Sequence, residues 1–479
     1  MNGLNERFDF RAPVPDLSEL GAVHFIAIGG SGMSGVARVM LARGCRVSGS
    51  DAKDTPVLTA LAAEGATVWV GHDPAHLEGV DTVVISSAVR ESNPELAAAR
   101  QRGLRVLHRS QALASTMSSS RRLAVAGANG KTTTTSMLTV ALQHCGADPS
   151  FAAGGELAKH GTNAHWGSGE VFVAEADESD GSFLVYRPDV AIVTNVQPDH
   201  LDFYGTFENV QRAYAEFAES VVDGGLLVAC QDDDGSRALA EAARSAGRRV
   251  LTYGWSPDAD VTLNEPVAHG LMSRATLTDA TGRRRALRIN IPGRHNLLNA
   301  AAAYTAATAG LGQDPTRVLD GLFGFTGTRR RFEPKGTAAG VSVVDDYAHN
   351  PGKVAAVVGT GAELVAGQGR LIVVFQPHLY SRTRDFALEF AAALAPADAV
   401  VLMEVYGARE DPIPGVSSTL VADALREIRP DVDVEVIPSW SAVAEATARR
   451  ARPGDLVLTV GAGDVTMIGP EVLRALGPA

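Results

Sequence analysis

The sequence predicts an α/β chain folded as three domains, and three observations carry that prediction. Short apolar, β-branched runs alternate with Ala/Leu-rich stretches of helical length in three successive series. Alternation of this kind implies right-handed crossovers and parallel sheets covered on both faces. Two of the strands run straight into glycine-rich loops that open helices. The 479 residues, at roughly 150 per domain, make about three domains.

The first series comprises VHFIAIG (23–29), RVSGSD (46–51), ATVWVG (66–71) and DTVVISSA (81–88), each followed by a helix-like stretch such as SGVARVMLARG. The second begins at RLAVAG (122–127) and continues through VFVAEA (171–176), VAIVTNV (190–196) and GLLVAC (225–230). Residues 249–291 alternate less regularly and read as a small antiparallel insertion. The third series runs VSVVDDYA (341–348), LIVVFQ (371–376), AVVLMEVY (399–406), VDVEVI (432–437) and DLVLTVGAG (455–463). The polar run STMSSSRR (115–122) and the stretch FTGTRRRFEPKG (325–336) mark the joints, which gives domains 20–116, 117–328 and 329–479. There is no internal repeat and no low-complexity tract.

Composition narrows the function classes. A net charge of −12 argues against a basic surface for duplex nucleic acid or acidic lipid, though not against a local pocket for a small anion. Three widely spaced cysteines (Cys45, Cys145, Cys230) exclude a disulfide framework and a cysteine-based zinc site, and fit a reducing compartment. No stretch approaches the roughly 18 uninterrupted apolar residues of a membrane span, and no apolar run follows a basic start at the N-terminus. The expectation is a cytoplasmic protein, monomer or homodimer, acting on small molecules.

The first strand enters Gly30-Ser31-Gly32-Met33-Ser34-Gly35, a G-x-G-x-x-G turn that opens a helix. Gly30 permits the tight turn, Gly32 lets the backbone approach a pyrophosphate, and Gly35 allows helix and strand to pack closely. The helix N-terminus offers N–H groups and a positive dipole end to the anion. Asp51, 21 residues after Gly30, ends the next strand where a carboxylate accepts ribose hydroxyls. The simple reading is an NAD site, but the motif identifies a nucleotide pyrophosphate and not which nucleotide.

The second loop is Gly127-Ala128-Asn129-Gly130-Lys131-Thr132-Thr133. Val125 stands where the full G-x-x-x-x-G-K-[ST] pattern has its first glycine, yet the end of the motif is complete. Backbone amides cradle phosphates there, Lys131 neutralises β/γ oxygens, and the Thr132 hydroxyl suits Mg²⁺. The spacing points to ATP, and Lys131→Ala is expected to abolish turnover with the fold intact.

Three further clusters fall at strand ends or helix starts. VFVAEADESD delivers Glu175, Asp177, Glu178 and Asp180; a solvated acidic loop accounts for Glu178 and Asp180 but not for Glu175, which interrupts an apolar run. VAIVTNV leads to Asp199 and His200. Two consecutive strands ending in acid or His beside one phosphate loop favour a metal or phosphate role. Arg294, His295, Asn296 and Asn299 open an Ala-rich helix where side-chain donors and a helix N-terminus meet, suited to a purine. Arg329-Arg330-Arg331 lies between the second and third units, as a clamp on phosphate would. In the third unit Asp346 and His349 follow one strand, His378 and Arg382 the next, and Gly461-Ala462-Gly463-Asp464 the last. The two histidines and Arg382 suit a carboxylate.

Taken together these pieces resemble the Mur ligase family over nearly the whole chain. The matching segments, in order, are IGGSGMSG, GSD, SSAV, GKTTTTSML, AEADESD, TNVQPDHLD, PGRHNLLNA, RRRFE, DDYAH, FQPH…SRT, YGAREDPIPGVSS and GAGD. GGSGMSG and AREDPIPGVSS point within the family to the alanine-adding branch. The resemblance implies a Rossmann-like UDP-binding domain, a central P-loop ATPase-like domain and a C-terminal Rossmann-like domain that brings the amino acid. The implied reaction is ATP-dependent ligation of L-alanine to the carboxylate of UDP-N-acetylmuramate through an acyl phosphate, in peptidoglycan precursor synthesis. The first loop then binds UDP rather than NAD, through Gly30, Ser31, Gly32, Met33, Ser34, Asp51, Ser86 and Ser87. Lys131, Glu175 and His200 are the implied catalytic residues, with Thr132, Glu175 and His200 organising Mg²⁺. ATP contacts fall to residues 127–133, His295, Asn296, Arg330, Arg331 and Asp346, and amino-acid contacts to His349, His378 and Arg382. The chain departs from the family pattern at Ala128, Asn129, Asn350 and Leu379, which bears on rate and amino-acid choice. The alternatives are a ligase that recycles intact peptide onto the same sugar nucleotide and an NAD(P)-dependent oxidoreductase.

Overall fold

In the computed structural model, residues 7–157, 160–408 and 410–477 are described, without the side chains of residues 202 and 269; Arg409, within AREDPIPGVSS, lies outside them. The chain forms two compact units: residues 1–290 with 294–326, and residues 291–293 with 327–479.

The first unit holds two sheets. One contains β1 (Val23–Ile26), β2 (Val47–Asp51), β3 (Thr67–Val70), β4 (Thr82–Ile85) and β5 (Arg105–His108), all parallel, in the order β3-β2-β1-β4-β5. Four of these strands are the runs expected from sequence; β5 (RVLH) is bracketed by an arginine and a histidine and holds only two apolar residues. The strand order reverses between β1 and β4, and in open α/β sheets the crevice beyond that reversal is where ligands bind.

The second sheet contains β6 (Arg121–Ala126), β7 (Ser150–Leu157), β8 (Thr162–His165), β9 (Val171–Glu175), β10 (Val190–Val193), β11 (Leu226–Cys230), β12 (Val250–Gly254), β13 (Val261–His269), β14 (Met272–Thr278) and β15 (Arg284–Ile289). Its order is β15-β14-β13-β12-β11-β10-β6-β9-β7-β8. Strands β6, β9, β10 and β11 are nearly unbroken apolar runs because helices cover both faces. The antiparallel stretch expected over 249–291 is present, but it is not a separate insertion. Strand β12 pairs parallel to β11 and β13 parallel to β12, and β14 and β15 continue the same sheet as antiparallel neighbours. At the other edge the β7–β8 hairpin escaped sequence reading, since SFAAGGEL and TNAH carry glycine and polar residues in place of a β-branched pattern.

The second unit is one sheet of β16 (Glu333–Ala338), β17 (Val341–Asp346), β18 (Leu371–Phe375), β19 (Ala399–Leu402), β20 (Asp433–Val436) and β21 (Leu456–Val460), in the order β16-β17-β21-β18-β19-β20. The edge strand β16 is antiparallel, polar and bulged between Pro334 and Gly336, where proline is tolerated. Among the described residues no helix is long and apolar enough to cross a membrane, and all three cysteines are free.

Candidate functional site

The first glycine loop connects β1 to the helix Ser31–Ala42. Gly30 N–H donates to Ala27 O and Ser34 N–H to Gly30 O, so the open donors at this helix start are Ser31, Gly32 and Met33. Met33 and Ser34 are buried, and the Ser34 hydroxyl donates to Ser31 O at 3.2 Å. Asp51 lies under the loop: its Oδ2 accepts from Gly29 N–H at 2.9 Å and its Oδ1 from Lys53 N–H at 3.2 Å. Gly35 meets a different strand from the one sequence suggested. A Cβ there would lie 3.2 Å from Ala164 Cβ on β8, so its small size serves contact between the first sheet's helix and the second sheet. Ser86 lines a cavity of about 310 Å³ with Ile26, Ala27 and His72, at the reversal between β1 and β4. The Ser87 hydroxyl instead donates to Asp180 Oδ2 at 2.5 Å, beside His108 Nε2 at 3.3 Å.

The second loop connects β6 to the helix Lys131–His144. Gly127 and Gly130 have φ of +135° and +87°, and a Cβ on Gly127 would collide with Thr194 Oγ1. The loop is strapped from β10: Thr194 Oγ1 and Asn195 Nδ2 donate to Asn129 O at 2.5 and 3.0 Å, and Asn129 N–H donates to Asn195 Oδ1 at 2.9 Å. Thr134 N–H bonds Gly130 O, and Lys131, Thr132 and Thr133 form the first turn of the helix, whose positive dipole end faces the loop. Ala128 is buried and Thr132 is 4% exposed.

Lys131 Nζ donates to Gly127 O and to Glu178 Oε1, each at 2.7 Å. Burial alone would lower its pKa, but Glu178, Asp177 and Glu175 outweigh that and hold the ammonium above its ordinary value. Thr132 Oγ1 donates to Glu175 Oε1 at 3.0 Å, and Glu175 Oε2 accepts from Gly154 N–H at 2.5 Å. His200, at φ +53°, places Nε2 3.8 Å from Glu178 Oε1. Glu178 therefore joins Lys131 and His200, and Thr132 joins Glu175 one residue along the same helix start.

Glu178 and Asp180 are not a solvated loop. The Glu178 side chain is 2% exposed and its Oε2 has no hydrogen-bond partner, while Tyr204 OH donates to its backbone carbonyl. Asp180 is buried against Ser87 and His108, which hold its carboxyl far below the ordinary range despite burial. The acidic spacing hid this, because only folding brings Lys131 and His108 to these carboxylates. Asp177 likewise pairs with Arg109 at 2.6 Å, and Arg109 NH1 lies 3.2 Å from where a Cβ on Gly32 would be.

Asn296 and Asn299 are buried, Asn299 Nδ2 donates to Asn296 Oδ1 at 3.3 Å, and His295 is exposed at the helix start. A Cβ on Gly130 would lie 2.7 Å from Asn299 Oδ1, so this helix abuts the phosphate loop.

In the second unit, Arg330 (φ +59°) donates through NH2 to Gly461 O and Gly463 O at 2.8 and 3.1 Å, and its guanidinium and that of Arg331 lie over Tyr347. Asp346 accepts from Phe332 and Ala348 N–H, each at 2.8 Å, so it fastens the turn that carries both arginines. Burial raises its pKa against the pull of Arg331. His349, His378 and Arg382 do come together: the two rings are 5.8 Å apart, and Arg382 NH1 lies 3.4 Å from His349 O and 3.5 Å from His378 Nδ1. Burial, then Lys353 and Arg382, keep His349 well below its ordinary value and so neutral. The Tyr406 ring stacks on His378, a neighbour that AVVLMEVY gave no reason to single out.

Three family models match in succession: Mur ligase family, catalytic domain, over residues 22–121; Mur ligase middle domain over 125–307; and Mur ligase, glutamate ligase domain, over 330–463. A Kineococcus radiotolerans protein named UDP-N-acetylmuramate–L-alanine ligase is 57% identical over 97% of this chain and 98% of its own length. The chain belongs to the Mur ligase family. An Acidothermus cellulolyticus protein of the same name is 53% identical over 97% of the chain and 96% of its own length. The crystal structure of UDP-N-acetylmuramate–alanine ligase from Thermotoga maritima matches with a TM-score of 0.79 at 28% identity, covering 95% of this chain and 98% of that one. A murein peptide ligase from Psychrobacter arcticus shares the fold, with a TM-score of 0.68 at 24% identity over 96% and 99%.

Two departures of this Mur ligase from the family pattern have local explanations. Asn129 ties the loop sideways through Nδ2 to Gln197 Oε1 at 3.0 Å. Asn350 caps the helix Pro351–Val365 by accepting from Lys353 N–H at 2.9 Å. Leu379 has φ +71°, and nothing in the structure explains leucine there.

Proposed function

We propose that this chain couples ATP cleavage to ligation of L-alanine onto the carboxylate of UDP-N-acetylmuramate, in the cytoplasm, as a step in building peptidoglycan precursors. The observation that carries the reading is 57% identity across nearly the full length of a relative bearing that activity as its name. ATP phosphorylates the sugar's carboxylate, the alanine amine attacks the acyl phosphate, and the tetrahedral intermediate collapses to amide and phosphate.

The geometry supports a division of labour. The N–H groups of Ser31, Gly32 and Met33 face the pyrophosphate, Asp51 holds their loop, and Ser86 lines the adjoining cavity. Lys131 and the N-terminal turn of its helix, with Thr132 and Thr133, neutralise the transferring phosphoryl, and Gly127, Ala128, Asn129 and Gly130 shape the cradle. The family resemblance assigns His295, Asn296, Arg330, Arg331 and Asp346 to ATP as well. His349, His378 and Arg382 take the amino acid, Arg382 as the guanidinium for its carboxylate.

The residues present fit Mg²⁺. Thr132 Oγ1 and Glu175 are hard oxygen donors in contact, Glu178 Oε2 is buried without a partner, and His200 is beside it. Among the described residues no group of three or more His, Cys, Asp or Glu forms a metal cage. This suits an ion that shares its coordination with substrate phosphates and water. When bound, the ion offsets charge on the phosphoryl oxygens.

The test is phosphate release and ligated-product mass with ATP, Mg²⁺, UDP-N-acetylmuramate and a panel of alanine, glycine, serine and tripeptide. Release that requires alanine supports the reading. Release indifferent to the amino acid, or a preference for tripeptide, overturns it.

A further inference from the structure

The turn after β10 holds Asn129 of the second glycine loop by main chain and side chain alike. Thr194 and Asn195 take its backbone N–H and carbonyl. The side-chain bond, from Asn129 Nδ2 to Gln197 Oε1 at 3.0 Å, belongs to a longer series. Gln197 Nε2 donates in turn to Asp233 Oδ1 at 2.9 Å. Asp233 follows β11 and caps the helix Asp234–Ser245, its Oδ2 accepting from Ser236 N–H at 2.8 Å and from Val196 N–H at 2.9 Å. The neighbouring strands β6, β10 and β11 are thus laced together at the ends beside the phosphate loop.

The series runs in one sense only. A carboxylate accepts and does not donate, so Asp233 faces Gln197 Nε2 and leaves Gln197 Oε1 toward Asn129. That oxygen calls for Asn129 Nδ2, which turns Asn129 Oδ1 away, buried and without a hydrogen-bond partner. The Asn129 amide therefore has no second bond to hold it, and Gln197 is exposed, so packing does not fix the pair either. The orientation of a side chain in the phosphate loop rests on a charge two amides distant. Asn129 immediately precedes Gly130, at φ +87°, and Lys131, so a shift at 129 is passed to both.

We propose that Gln197 and Asp233 are positioning residues for the phosphate loop, Asp233 setting the sense of the Gln197 amide and Gln197 that of Asn129, so that the loop stands ready for its nucleotide. The inference rests on the ATP reading of that loop and adds the residues outside it that set its geometry.

The experiment is calorimetric titration of the full chain with a non-hydrolysable ATP analogue plus Mg²⁺ and, separately, with UDP. Asp233→Asn keeps the helix cap but offers Gln197 an N–H, so both amides must turn over. Affinity for the ATP analogue should fall by about three- to tenfold, the worth of one hydrogen bond, with UDP affinity unchanged. Loss of a negative charge would by itself favour an anion, so this fall has the opposite sign from a field effect. Adding Gln197→Glu to Asp233→Asn places an acceptor between two amides, returns Asn129 to its native sense and should restore the affinity to within about twofold. Unchanged ATP-analogue affinity in Asp233→Asn, no recovery in the double variant, or a parallel loss of UDP affinity overturns the positioning role alone. A native chain that binds UDP but not the ATP analogue overturns it together with the ATP assignment.

Discussion

Lys131 and Glu178 form an ion pair whose side chains are 14% and 2% exposed. Removing the lysine alone leaves a buried carboxylate uncompensated, at a cost of about 3–5 kcal/mol. Lys131→Ala should therefore lose stability as well as turnover, contrary to the expectation of an intact fold. The double variant Lys131→Ala with Glu178→Gln should recover most of the melting temperature and none of the phosphate release. Thermal denaturation beside a turnover assay checks both. Glu95, fully buried and hydrogen-bonded to Ser50 Oγ at 2.5 Å and His76 Nδ1 at 2.7 Å, makes a pH prediction with a definite sign. Its folded pKa is lowered from 4.5 to about 2, so its contribution is present above about 4.5 and lost as pH falls toward 2. That contribution is on the order of 3 kcal/mol, and urea midpoints between pH 5 and 2.5 should fall less steeply in Glu95→Gln than in the native chain. At this scale sequence located Lys131, Thr132 and Asp51, because each follows a strand at motif spacing. It misassigned Glu178 and Asp180, because a run of acids looks alike whether its partners are water or residues 47 and 72 positions away.

The helix Ser31–Ala42 packs against β8 through Gly35. Gly35→Leu should overpack that contact by about 1–3 kcal/mol, and Ala164→Gly should restore part of it. Melting temperatures of the two single variants and the double form the cycle; full additivity would mean the sites do not touch. The motif predicted glycine at 35, but the reason was not legible, since TNAH in β8 carries no strand signature of its own. Apolar strands such as β6 and β10 were legible because burial on both faces demands nearly unbroken apolar runs. Edge strands β8 and β16 were not, because pairing on one side tolerates polar residues, glycine and proline.

For the molecule, the first two sheets form one compact unit, tied by Arg109–Asp177 and by the Ser87–Asp180–His108 contacts. Calorimetry of the native chain should show this unit melting in a single transition, and Arg109→Ala with Asp180→Asn should split it in two. A single transition in that double variant would mean apolar packing alone joins the sheets. The sequence by itself determined the strand–helix alternation, both glycine-rich loops and the positions of their lysine and glycines, because these follow from local periodicity and spacing. Only the tertiary structure decided which carboxylate faces Lys131, why Gly35 must be small and which residues enclose Asp180. Those depend on which residues, far apart along the chain, share a volume that excludes water, and in such a volume each charge and donor must find its complement.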